Sequence, residues 1–228
     1  MKIIDVHSHI DYITHDIQPC VVGTCCCAVN ESQWSVLDSM VKQDQNIYGA
    51  FGVHPWFIKD IKDDFDSRLK ALLKTNRSYM VGEIGIDKFK PNLEKQIMFF
   101  VQQLNVAVDL QRTIVLHCVG AWDKIFQILK EYKKSELPMI IVHGFNESRQ
   151  IMQNLLDNYD VVFSLGKNAL YGKNCRIEQI PDNKIVVETD GKTDISLIDL
   201  INQIAEIKHN PNIAQIIYDN TLRVLKNG

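Results

Sequence analysis

The chain has no apolar run approaching the eighteen or so residues that a membrane-spanning helix needs, so a helical membrane protein is excluded. It has only six prolines and no low-complexity tract, which argues against a disordered linker or a fibrous repeat. It lacks an excess of either charge: 25 basic and 28 acidic residues leave a net charge of -3. No global field therefore draws in a polyanion, and a phosphate-bearing substrate would need local charge or bound cations. The first strand candidate begins at Lys2, leaving no room for a signal peptide before it. A soluble, cytoplasmic protein without a membrane partner is expected. Three motifs are also missing: the CxxC of a zinc knuckle, the GxxxxGK[ST] of a P-loop, and a compelling Ser-His-Asp or Cys-His nucleophile. The six cysteines include the consecutive Cys25, Cys26 and Cys27, whose side chains alternate between the faces of a strand. With Cys20, Cys118 and Cys175 they read as small buried residues of a reducing compartment.

What the chain does have is alternation. Its 228 residues are 46% apolar, enough for one substantial core, and residues 1–228 are expected to form a single domain. Apolar strand candidates run over Ile3–Ile10, Cys20–Ala28, Ile47–His54, Tyr79–Ile86, Thr113–Cys118, Pro138–Gly144, Asp160–Gly166 and Lys184–Asp190. Helical spacing separates most of them, as in Glu31–Gln43 and Asn92–Leu110. Eight short strands divided by helices are what a closed (β/α)8 TIM barrel requires; an open doubly wound sheet normally uses fewer.

The polar residues fall in a pattern on that frame. His7 and His9 end strand one, on one face by period-2 geometry. His54 ends strand three, Glu83 strand four, His117 strand five, His143 strand six and Asp190 strand eight. Five of the seven histidines thus fall on the rim where barrel enzymes carry their chemistry. His15 and His209 read as structural or solvent-facing. Neutral imidazoles and carboxylates are what Zn, Mn, Fe or Ni accept. The six residues His7, His9, Glu83, His117, His143 and Asp190 exceed the needs of one tetrahedral ion, and two ions sharing a carboxylate would use them all. Trp56 either walls the pocket or caps the barrel. Lys167 and Lys173 are candidate contacts for an anionic substrate, against the bland reading as surface lysines.

The segments "IDVHSHI", "GVHPW", "VGEIGID", "VLHC", "VHGF" and "VETD", in this order, resemble the TatD-like metal-dependent hydrolases, the deoxyribonuclease branch of the amidohydrolase superfamily. The resemblance implies a TIM barrel with a dinuclear site holding divalent Zn, Mg, Mn or Ni. His7 and His9 would bind one ion, Glu83 would bridge, His117 and His143 would bind the second, and Asp190 would complete the first and act on the nucleophilic water. His54 would lie near the substrate phosphate. It further implies DNA or another phosphodiester as substrate, with 3'-5' exonuclease action on single-stranded ends. Alternatives are a hydrolase of a small phosphoester, amide or lactone, and a binding module with a structural metal; a monomer is expected. The chain departs from the pattern after "ETD", where Gly191, Lys192 and Thr193 replace a small residue, a proline and an aromatic. It is also compressed between Ser8 and Cys20, and both changes alter the pocket wall.

Overall fold

The computed structural model describes residues 1–59, 61, 64–171, 176–192 and 194–226. Eight parallel strands lie in sequence order in one sheet: β1 (Ile3–His9), β2 (Val21–Cys27), β3 (Ile47–Phe51), β4 (Met80–Asp87), β5 (Ile114–Val119), β6 (Ile140–Val142), β7 (Val161–Leu165) and β8 (Ile185–Val187). The helices between and after them are α1 (Thr14–Ile17), α2 (Trp34–Gln43), α3 (Phe65–Thr75), α4 (Leu93–Leu110), α5 (Trp122–Leu129), α6 (Arg149–Asn158), α7 (Lys167–Tyr171), α8 (Leu197–Lys208) and α9 (Ile213–Lys226). The fold is a TIM barrel, as the strand count leads one to expect. Among the described residues no helix is long and apolar enough to cross a membrane.

Strand periodicity sorts the apolar side chains into two clusters. Ile4, Val6, Cys25, Cys27, Ala50, Met80, Val115, Ile141, Val162 and Val186 come from all eight strands and pack together inside the barrel, joined by Val224 and Leu225 of α9. Cys26, between two inward cysteines, belongs instead to the larger cluster against the helices. The five described cysteines carry no disulfide; Cys20 and Cys118 are only partly buried, and Cys175 lies outside the described residues.

The barrel closes between β1 and β8 with help from a carboxylate. Asp5, wholly buried, accepts the Thr189 N–H at 3.1 Å and the hydroxyls of Thr189 at 2.6 Å and Thr14 at 2.5 Å, while the Asp190 N–H donates to the His7 carbonyl at 3.0 Å. A buried carboxylate is tolerated only with such donors. Burial still dominates over the hydroxyl bonds and pushes the Asp5 carboxyl up to about 7.

Four rim residues sit differently from the sequence reading. Glu83 is the fourth of the eight residues of β4 and His117 the fourth of the six of β5, neither at its strand's end. His54 lies three residues beyond β3, because the Gln103 side chain takes over from the ladder: its Oε1 accepts the Val53 N–H at 2.7 Å and its Nε2 donates back to the Val53 carbonyl. Asp190 lies three residues beyond β8 in a left-handed conformation, φ 56°.

Candidate metal centre

Two breaks in the ladders aim the first donors. The β1–β2 register shifts between Asp5 and Ser8, and the β4–β5 register shifts between Val81 and Ile84. His7 falls inside the first irregularity and Glu83 inside the second, where a slipped register re-aims a side chain. Gly85 then lets β5 come close: a Cβ there would lie 1.8 Å from the His117 carbonyl oxygen. His117 consequently stands beside Glu83, its Nδ1 2.8 Å from Glu83 Oε1.

Glu83 is the hub. Its Oε1 lies 3.3 Å from His54 Nε2 and 3.2 Å from His143 Nε2, and its Oε2 lies 3.5 Å from His7 Nε2. Asp190 Oδ1 is 3.5 Å from both His7 Nε2 and His9 Nε2, and its other oxygen pairs with Lys192. The structure therefore gathers all seven residues singled out on the rim. Burial works to raise the Glu83 carboxyl, but the imidazoles around it, His143 and His7 foremost, hold it well below the usual range. Burial likewise opposes the depression of Asp190, which His7 and His9 hold low. His143 goes the other way: burial would lower it, but Glu188 and Glu83 raise it to about 10.

The second nitrogen of each ring separates two kinds of histidine. His9 Nδ1 faces the Cys27 carbonyl at 3.4 Å, an acceptor, so in the neutral ring that nitrogen carries the proton and Nε2 the lone pair. His143 Nδ1 faces Glu188 Oε1 at 3.0 Å, an oxygen that already accepts the Gly144 N–H at 2.8 Å. His7 Nδ1 meets the Cys27 sulfur at 3.1 Å. In all three, Nε2 turns toward carboxylate oxygens. A metal-binding imidazole is normally held by this outer contact. His54 is reversed: its Nδ1 accepts the Trp56 N–H at 3.1 Å, so in the neutral ring Nε2 carries the proton. Burial lowers the His54 pKa, with Glu83 opposing, which keeps that neutral ring at physiological pH.

The donor set fits divalent ions. Donor atoms of His7, His143 and Asp190, of His7, His9 and Glu83, and of His54, Glu83 and His117 each lie within 4.8 Å of one another. Buried His7 Nε2 and His117 Nε2 have no hydrogen-bond partner, a costly state unless something else takes the lone pair. A pocket of about 350 Å3 opens over these groups, walled by Val29, Trp56 and Phe57. Trp56 thus walls the pocket, with its indole N–H on Asp87 Oδ2 at 2.8 Å. Lys167 stands at one side of the rim, paired with Asp194 at 2.8 Å in a smaller pocket that Glu188, Asp190 and Lys192 also line. Lys173 lies outside the described residues. His15 is structural, held between Thr24 Oγ1 at 3.0 Å and Asp44 Oδ2 at 2.9 Å, and His209 caps α8.

Sequence reasoning missed Asp5, Cys27 and Glu188 as parts of the site. Each sits two residues from a rim residue or opposite one in a strand. For Asp5 and Glu188 a signal existed: a carboxylate inside an apolar strand must find donors. Nothing in the sequence pairs Cys27 with His7.

Three comparisons bear on this geometry. A family model described as TatD related DNase matches residues 4–226. The human protein named 3'-5' RNA nuclease TATDN2 is 29% identical over 161 residues, 67% of this chain and 21% of that protein. The Salmonella typhimurium protein named 3'-5' ssDNA/RNA exonuclease TatD is 27% identical over 169 residues, 71% of this chain and 64% of that one. The chain thus spans less than two thirds of the length of either. The crystal structure of YJJV, a TatD homolog from Escherichia coli, superposes with a TM-score of 0.86 at 22% identity, covering 97% of each chain, which shows the same fold.

Proposed function

Because this chain belongs to the TatD-related DNase family, we propose that it is a metal-dependent phosphodiesterase acting as a 3'-5' exonuclease on single-stranded nucleic acid. The observation that carries the reading is the arrangement of the rim around two carboxylates, with Nε2 of His7, His9 and His143 turned toward Glu83 and Asp190 oxygens and His54 set apart by an Nδ1 that accepts the Trp56 N–H. His7, His9 and Asp190 would hold one divalent ion, His117 and His143 a second, and Glu83 both, since its two oxygens face the two groups. Such ions supply Lewis acidity, making a water nucleophilic near neutral pH and offsetting charge on the phosphate. His54 donates its Nε2 proton in a hydrogen bond to a phosphate oxygen. Asp190, its charge held by His7, His9 and Lys192, is a weak base and acts by accepting a hydrogen bond that orients the attacking water. Trp56 and Phe57 exclude solvent on one side of the pocket, and Lys167, in the smaller pocket that shares Asp190, would contact the anionic substrate from there. We further propose one domain, working as a cytoplasmic monomer.

The named activities of the human and Salmonella relatives support this reading over hydrolysis of a small phosphoester, amide or lactone. End-labelled single-stranded DNA, duplex DNA and RNA, tested beside a phosphomonoester, a generic phosphodiester and an amide, decide between them. Divalent-dependent release of mononucleotides from single strands, slower on duplex and abolished by chelator and by Asp190→Ala, is expected. Fully metallated protein that leaves every polynucleotide intact but turns over a small ester or amide would overturn the assignment.

A further inference from the structure

A second groove adjoins the metal pocket and shares its Trp56 and Phe57 wall. It encloses about 360 Å3 and is lined further by Lys59, Lys90, Pro91 and Asn92. Its chemistry differs from that of the centre. Trp56 is 52% exposed and Phe57 46%, whereas Trp34 and Trp122 are buried. The Lys90 ammonium sits over the Trp56 ring, 4.1 Å from its centroid. One step along the same loop, Phe89 is 73% exposed with Lys88 5.3 Å from its ring. The Trp56 indole is fixed by its bond to Asp87 Oδ2, so its exposed face is presented at little entropic cost. Lys59, Lys88 and Lys90 thus stand beside exposed aromatic rings in a chain of net charge -3.

We propose that this groove is a stacking track for single-stranded nucleic acid, holding the bases of the retained strand next to the scissile phosphate; the proposal rests on the nuclease reading of the adjoining centre. Aromatic faces interleaved with cations are how proteins bind single strands without reading sequence. Lysine on its flexible stem leaves the Trp56 ring for a backbone phosphate, and a base takes its place on the ring. The carboxylate of Asp87 is buried, with its oxygens turned to the Trp56 indole and the Phe89 N–H. The groove's continuity with the metal pocket through Trp56 and Phe57 gives the strand a direct path to the centre.

The test uses the full chain with chelator present, so that binding is read without cleavage. An eight-nucleotide oligothymidylate is titrated while tryptophan fluorescence and anisotropy are followed. Saturable quenching is expected, and it disappears in Trp56→Phe because the other two tryptophans are buried. In Lys59→Glu/Lys90→Glu, folded by circular dichroism, Kd rises about tenfold, and the log-log salt slope becomes shallower by about 1.4, two phosphates at roughly 0.7 each. With metal restored, KM of the wild type falls as the substrate lengthens from a dinucleotide, and the double variant loses that fall. Unchanged Kd and salt slope in the double variant, absence of quenching, or equal competition by polyglutamate of matched charge would each overturn the track. Protein that cleaves dinucleotide and octamer with equal KM and no quenching loses the track and keeps the nuclease reading. Protein that binds with quenching but cleaves no polynucleotide keeps the track and loses the nuclease reading.

Discussion

At the scale of single residues, the site depends on groups that never face the pocket. Glu188 Oε1 accepts from both His143 Nδ1 and the Gly144 N–H, while its buried Oε2 has no partner. One oxygen therefore fixes the protonation of the imidazole and the turn that follows it. Glu188→Ala should weaken metal affinity about 10- to 100-fold, the usual cost of losing an outer contact to a ligand histidine. Glu188→Gln should restore most of that affinity, since an amide oxygen in the place of Oε1 still accepts both bonds. Calorimetric titration of each variant with Zn or Mn decides it. Wild-type affinity in Glu188→Ala would show that the carboxylate does not position His143.

At the scale of elements, the centre is made by irregular strands. β4 and β5 approach so closely at Gly85 (φ 151°) that no side chain fits against the His117 carbonyl. Gly85→Ala must separate the two strands and should cost about 3 kcal/mol or more, at the upper end of overpacking penalties. Chemical denaturation of the metal-free variant measures this, and a change below about 1 kcal/mol would mean that the strands part easily. These elements also mark the limit of what the sequence discloses. The eight strands, their order and the inward and outward faces of Cys25, Cys26 and Cys27 were legible, because period-2 burial writes itself into apolar spacing. The rim residues were legible as a group, since histidines and acids rarely end apolar strands without a use. Their exact stations were not. Glu83 is mid-strand because the ladder slips between Val81 and Ile84, and His54 stands beyond β3 because Gln103, 50 residues away from Val53 in the chain, substitutes for the ladder. Both are long-range events that no local pattern records.

At the scale of the whole molecule, the proposed ligands come from β1, β4 and β5 and from the turns after β6 and β8, so only the folded barrel brings them together. Ions that bind this state and not the unfolded chain stabilise it by RT ln(1 + [L]/Kd), about 2.7 kcal/mol at a hundredfold excess over Kd. For a chain of this size that corresponds to a rise in Tm of about 5 to 10 °C. Thermal scans with chelator and with saturating Zn or Mn check it, together with elemental analysis expected to give close to two ions per chain. Coincident melting curves would contradict a centre assembled by folding.

The seam between β1 and β8 adds a dimension of time. Asp5 and Thr189 are 184 positions apart, yet the buried carboxylate of one is satisfied by the other. On a ribosome, β1 is made early and then waits, with an unpaired edge and a carboxylate that has Thr14 but lacks its two Thr189 donors, until β8 has been synthesised. A chain interrupted before β8 keeps two open sheet edges and lacks Asp190. The metal centre is therefore complete only once β8 has been made and has closed against β1, and the open edges that invite aggregation disappear in the same step.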